Sequence, residues 1–215
     1  MNVVAINVGG PREVEWRGST VQTSIFKTSV SRRVHVALDN VEGDQQSDLS
    51  VHGGLEKAVY AYPAEHYDFW RRELPDFELP WGAFGENFTT LGLLEDEVWI
   101  GDRYRIGTAE LVVTQPRMPC YKLAIRFGRV DMVKRFHQSR RNGFYLAVER
   151  EGEVGAEDAI ERVGRSETRL TVAEVIALYA TDSANQPLLE NASHHPSLPA
   201  SWREYFRKRL WAPDA

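Results

Sequence analysis

The chain has 215 residues, 42% of them hydrophobic, and a formal net charge of −5. That is room for one large domain, or one domain with a small appendage, around a real core. The acidic balance argues against a protein that grips nucleic-acid backbone. No run approaches the roughly 20 apolar residues of a membrane span, and the first residues lack the basic and apolar regions of a signal peptide. Cys120 is the single cysteine, so an intrachain disulfide, or a metal site needing two of its own thiolates, is excluded. A cytoplasmic location is expected, where thiols stay reduced.

In chain order, residues 3–8 read as a strand stopped by Gly9, Gly10 and Pro11. Residues 20–25 and 33–38 are further short β-rich runs, and the polar stretch 39–48 reads as a loop. Residues 58–62 form a β run rich in aromatics. Pro63 can open a helix, because its missing N–H is harmless in a first turn. Tyr67, Trp70 and Leu74 then lie on one apolar stripe that ends at Pro75. Residues 98–100 and 104–106 flank Gly101 and Asp102 like a hairpin. Residues 109–114 and 143–149 add two strands, with weaker helical patterns at 121–127 and 130–136. Many short strands with Gly-rich turns predict a barrel or sandwich.

The character changes after about Arg165. Thr171 and Glu174 have the spacing of a capping box, with Leu170 and Val175 placed as a hydrophobic staple. Ser201 and Glu204 repeat the spacing. Residues 185–199 hold three prolines and read as a linker with at most a turn at Leu188 and Leu189. The division is a main domain over 1–165 and a small, separable helical extension over 166–215.

Four segments combine glycines with charged or reactive side chains, as binding loops on a β scaffold do. In the first, Pro116 and Pro119 stiffen the approach to Cys120, and Arg117, Lys122 and Arg126 lie within six positions of it. Nearby cations lower a thiol pKa, and the thiolate is both nucleophile and soft-metal ligand. A lone cysteine is more often a buried structural one, although an inert core cysteine usually has apolar neighbours. The second segment, His52, Gly53, Gly54 and Lys57, offers exposed amides, a cation and a titrating ring. In the third, Gly85, Glu86 and Asn87, the amide could read a heterocycle edge and the carboxyl could act as a general acid. The fourth, from Glu42 through Asp44 to Asp48, lacks calcium-loop spacing and reads as solvated. Glu65 with His66, the pair His194 and His195, and the basic pairs Arg32–Arg33 and Arg140–Arg141 read as surface features.

Taken in order, these motifs resemble a known family. His52, Gly53 and Gly54 with Lys57, Tyr60, Tyr62, Pro63, Glu65, His66, Tyr67 and Trp70 resemble the first signature of MOSC-domain proteins. Phe84, Gly85, Glu86, Asn87 and Phe88, followed by Ile100, Gly101 and Asp102, resemble the second. Gln115, Pro116, Arg117, Pro119, Cys120, Lys122 and Leu123 resemble the third, the cysteine motif. The likeness spans residues 3–162, and the tail resembles the helical extension of the YiiM-like branch. One departure is Glu157-Asp158, where relatives often carry Gly-Asp.

The resemblance implies an α+β fold that is mainly β, a closed MOSC-type barrel with a small C-terminal helical appendage. It implies a bound molybdenum cofactor, a phosphate-bearing pterin dithiolene, and no pyridoxal phosphate. Cys120 is then the sulfur ligand to molybdenum. His52 or Glu86 would deliver a proton, and Gly53, Gly54, Lys57, Asn87, Arg117, Lys122 and Arg126 would hold the cofactor. The implied activity is reduction of N-hydroxylated or N-oxide small molecules with electrons from a separate flavin-containing protein. The alternative is a non-redox carrier of sulfur or cofactor that uses Cys120. Neither nucleic acid nor membrane is expected as a partner; a homodimer is allowed and not required. The residues alone specify less: an anionic ligand beside an activated cysteine.

Overall fold

The computed structural model describes residues 1–45, 53–181 and 185–211. Its strands are β1 (Asn2–Val8), β2 (Arg12–Trp16), β3 (Ser19–Thr23), β4 (Thr28–Val30), β5 (Val34–Val36), β6 (Val59–Pro63), β7 (Phe88–Leu91), β8 (Arg103–Ile106), β9 (Ala109–Pro116), β10 (Phe144–Arg150), β11 (Gly152–Val154) and β12 (Ile160–Gly164). Its helices are α1 (Glu65–Glu73), α2 (Tyr121–Phe127), α3 (Met132–Ser139), α4 (Val172–Ala180), α5 (Gln186–His194) and α6 (Ala200–Leu210), with a 3-10 turn at Leu55–Lys57. The α+β class is as expected.

Eight strands form one sheet in the order β12-β8-β9-β10-β6-β7-β1-β4, and two ribbons, β11-β5 and β2-β3, complete the strands. Among the described residues only β6 and β7 run parallel; the connection between them carries α1 and the glycine turn at 82–85.

The closed barrel expected above does not form. Ile6, Asn7 and Val8 of β1 pair with β4, so only the first residues of β1 face the far edge of the sheet. They meet it through one isolated bridge, Asn2 with Ala159, and through the amides of Val3 and Ile160. Glu157, with φ 69°, bends the chain away beside this contact. That backbone region suits glycine better than a residue with a Cβ.

The expected hairpin also shifts. Residues 98–100 are not a strand; the hairpin is β8 with β9, closing at Ile106 and Ala109 around Gly107. Asp102 instead braces the preceding turn, accepting from the Trp99 amide at 3.2 Å and the Ser166 amide at 3.1 Å. Strands β2, β4, β7, β11 and β12 form where the apolar pattern gave no signal.

In the tail, the Thr171 capping box is present: Thr171 Oγ1 accepts from the Glu174 amide at 3.0 Å, and the Glu174 carboxylate accepts from the Thr171 amide at 2.8 Å. The second box is not. Pro199 takes the cap position of α6 without a side-chain bond, and Ser201 lies inside the first turn. The expected linker holds α5, started by Asn185, whose side chain accepts from the Leu188 amide, and by Pro187 in the first turn. His195 is not a surface residue: it is 1% exposed, its Nε2 lies 3.1 Å from the Thr168 carbonyl, and burial lowers its pKa.

Two apolar clusters organise the interior. One joins Val3, Ile6, Leu111 and Leu146 of the sheet to Leu170, Val175, Ile176, Leu189 and Phe206 of the tail. The tail is thus a layer on the sheet's own core, fixed further by a bond from the Trp202 indole to Gln115 of β9 at 2.7 Å. The other cluster is aromatic, with Tyr62, Tyr67, Trp70, Phe84, Phe127 and Phe136 packed together. It backs the loops that carry the functional residues.

Candidate functional site

Cys120 ends a short Pro-bounded segment leaving β9 and immediately precedes α2. That helix is anchored by Leu123 and Phe127, both buried in the aromatic cluster. The anchoring fixes Cys120 in the lining of a solvent-open cleft. Arg117 and Lys122 from the same segment, Lys57 from the 3-10 turn, and Asn87 from the approach to β7 share its lining. The fold therefore brings five of the expected site residues together from three separate motifs.

Arg117 is 5% exposed. Its guanidinium lies 5.6 Å from the Tyr60 ring and 5.3 Å from the Phe136 ring. Burial pulls its pKa down, but Tyr60, Cys120 and Tyr145 outweigh this and the net shift is upward, so it stays a cation. Among the described residues its Nη1 is buried with no hydrogen-bond partner, as is the Oγ of Ser24, which also lines the cleft. Such groups cost about 1–3 kcal/mol each while unsatisfied. Lys57 is half-buried, and desolvation lowers its pKa against the opposing effect of Glu56.

The cleft has a second polar wall that sequence reasoning missed. Lys27 and Asp44 form a buried ion pair, and burial lowers the Lys27 pKa more than Asp44 raises it. Asp44 also accepts from the Gly9 amide and from Asn87 Nδ2, each at 2.9 Å. The loop carrying Asp44 reads as solvated in sequence because its partners are far away along the chain. Tyr60, Phe84, Tyr145 and Ile25 supply the flat apolar walls. Four cations face one carboxylate, so the charge of the lining is positive.

Several expected assignments fall elsewhere. The Asn87 amide is spent on the protein: Oδ1 accepts from the Tyr60 amide at 3.1 Å while Nδ2 serves Asp44. Glu86 is fully buried outside the lining, and its carboxyl accepts from Tyr67, Gly82, Phe84 and Thr89. It braces the 82–85 turn. Arg126 lies outside the lining too, 5.3 Å from the Phe26 ring, with its pKa lowered by burial and by Arg12. Gly54, at φ +100°, caps the 3-10 turn in open space; neither it nor Gly53 lines the cleft. His52 lies outside the described residues, as do Gln46, Ser47 and Asp48 of the acidic loop. His66, set aside in the sequence, is partly buried against Glu95. Among the described residues, no cluster of three His, Cys, Asp or Glu side chains could hold a metal ion.

A family model described as the MOSC domain matches residues 48–161. The chain belongs to the MOSC-domain family. A second model, the YiiM-like 3-alpha helix domain, matches residues 170–211. This MOSC-domain protein is 39% identical over 208 residues to the uncharacterized protein YflK of Bacillus subtilis, covering 97% of this chain and 94% of that one. It is 36% identical to protein YiiM of Escherichia coli, over 87% of this chain and 84% of that one. A protein of Gibberella moniliformis named a reductase is 31% identical over 83% of this chain, which spans only 32% of that longer protein. The crystal structure of YiiM from Geobacillus stearothermophilus superposes with a TM-score of 0.81 at 37% identity, covering 97% of this chain and 98% of that one. Among the described residues, no helix is long and apolar enough to cross a membrane.

Proposed function

We propose that this MOSC-domain protein holds a molybdenum–pterin cofactor in the cleft beside Cys120 and reduces N-hydroxylated or N-oxide compounds, drawing electrons from a separate flavin-containing protein. One observation carries the reading. A lone sulfur donor shares a cationic cleft with Arg117 Nη1 and Ser24 Oγ, two buried polar atoms without a hydrogen-bond partner among the described residues. A ligand with anionic oxygens would satisfy both, and a dithiolene-bound metal accepts one further soft donor. The residues present fit the group.

In this reading Arg117, Lys57 and Lys122 hold the anionic part of the cofactor, and Cys120 is the protein sulfur ligand. When bound, the cofactor supplies a two-electron redox centre for removing oxygen from nitrogen. Tyr60, Phe84 and Tyr145 present flat walls that exclude water. Asn87 holds Tyr60 and Asp44 in register instead of contacting the ligand. Glu86 and Arg126 stand outside the cleft and take no direct part. The family and the reductase-named relative support a redox role.

The test uses the full chain expressed in a cofactor-competent host, with molybdenum and pterin content measured beside turnover of a hydroxylamine substrate with an artificial electron donor. Wild type should be loaded and active. Cys120→Ser keeps the shape but replaces a soft thiolate by a protonated hydroxyl, so pterin should remain while activity falls to background. Stability should move within about 0.5 kcal/mol, as for surface-type changes. A fully active Cys120→Ser protein ends the metal-ligand assignment. A loaded wild type that turns over no such substrate favours the carrier reading.

A further inference from the structure

We propose that His66 and Glu95, neither of them in the cleft, form a positioning pair for Arg117. The inference rests on the reading of Arg117 as an anion-binding residue. Glu95 lies in the turn after β7 and is 5% exposed. One carboxylate oxygen accepts from the Gly143 amide at 2.8 Å; the other lies 2.8 Å from Nε2 of His66 in the first turn of α1. The His66 ring is packed edge-on to Tyr62 at 5.4 Å, so neither partner can wander.

Gly143 passes the constraint on. Its carbonyl accepts from the Arg117 amide at 3.1 Å, while the Asn142 side chain donates to the Arg117 carbonyl at 2.9 Å. Residues 142 and 143 therefore grip the main chain of Arg117 on both sides. They are gripped in turn by Glu95 and by the Tyr60 hydroxyl, which donates to the Asn142 carbonyl at 2.8 Å. Gly143 has φ +64°, and an added Cβ would sit 2.4 Å from the Ala61 carbonyl, so no side chain can take over the anchoring. Orientation is left to the hydrogen bond with the carboxylate.

A buried carboxylate is a poor choice for stability alone, because its desolvation offsets the pairing and an apolar residue of similar volume packs at less cost. It is a good choice for direction. An arginine recognises an anion through a rigid planar fork, and small misplacements of that fork are expensive. A carboxylate two hydrogen bonds behind Arg117 sets where the fork begins.

The experiment measures inorganic phosphate binding to the full chain by calorimetry, with circular dichroism and melting curves for every variant. Glu95→Leu fills the space but accepts nothing; Glu95→Gln still accepts from the Gly143 amide, and its NH2 donates to His66 Nε2 when the ring carries its proton on Nδ1. Glu95→Leu and His66→Leu should weaken phosphate binding by about three- to tenfold, the scale of coupling within one hydrogen-bond network. Glu95→Gln should stay close to wild type. The discriminating readout is the double variant: Glu95→Leu in an Arg117→Ala background should cause no further loss, because the pair acts only through Arg117. A merely structural role would add the same loss in both backgrounds, which overturns the proposal. So do folded Glu95→Leu and His66→Leu proteins of wild-type affinity beside a weakened Arg117→Ala. Should Glu95→Leu not fold, His66→Leu, alone and with Arg117→Ala, carries the same comparison. A wild type that binds no phosphate, or an unweakened Arg117→Ala, overturns the anion-site reading itself and this proposal with it.

Discussion

Four hydrogen bonds converge on the buried carboxyl of Glu86, from the Tyr67 hydroxyl, the amides of Gly82 and Phe84, and the Thr89 hydroxyl. Those bonds favour the charged form, yet desolvation is stronger and raises its pKa above the ordinary value of 4.5. The folded state thus holds this proton more tightly than the unfolded chain. The resulting stability is complete below the unfolded pKa and is lost as pH rises through the folded one. Glu86→Gln cannot titrate, so the advantage of wild type over that variant should be largest in acid and shrink to a lower plateau toward neutral pH. Chemical denaturation of both proteins across that range checks it; a constant difference means that Glu86 titrates alike in both states. Residues of this kind mark how far single positions are legible. Cys120, Lys57, Arg117 and Lys122 could be picked out because cations flank a thiol or follow glycines within one short segment. Asp44, Ser24 and Glu95 could not, since their importance comes from partners 17 to 48 positions away or from having none among the described residues.

Elements were legible where the pattern is local. The stripe of Tyr67, Trp70 and Leu74 corresponds to α1, and the box at Thr171 and Glu174 starts α4. Strand β12 exposes most of its residues and carries no alternation, β2 alternates only over Glu13–Trp16 with no residue fully buried, and β7 buries two threonines. Their identity comes from what they pair with. The box at Ser201 fails because Pro199, with its fixed φ, already sets the start of α6 two residues earlier. At Thr171 the hydroxyl accepts from the Glu174 amide, which has no partner within the first turn of α4. Thr171→Ala should cost about 1 kcal/mol, a fall of roughly 2–4 °C in Tm for a chain of this size. Ser at the same position should restore most of it, and a Tm unmoved by Ala means that the backbone bridge between Thr171 and Trp99, not the cap, starts α4.

At the scale of the molecule, the change of composition near residue 166 suggests a separable tail, and the packing argues the other way. Leu170, Val175, Ile176, Leu189 and Phe206 belong to the same apolar cluster as Val3, Ile6 and Leu111. The chain entering α4 also adds backbone bonds to the turn before β8: Ile100 donates to Leu170, Val172 donates to Val98, and Ala173 donates to the carbonyl of Glu95. The tail therefore closes one face of the core and steadies the turn that reaches Gly143 and, through it, Arg117. A domain whose sheet does not close into a barrel needs such a cover, because an open sheet must bury its apolar face against another layer. A chain ending at residue 166 should consequently be insoluble or lose its cooperative melting transition and near-ultraviolet signal, rather than persist as a weaker domain. Supplying residues 167–215 as a separate peptide should restore part of both signals if the loss is one of cover. A truncated chain that melts cooperatively near the wild-type temperature and still binds phosphate would make the tail an accessory, with the sheet and its aromatic cluster sufficient for the site.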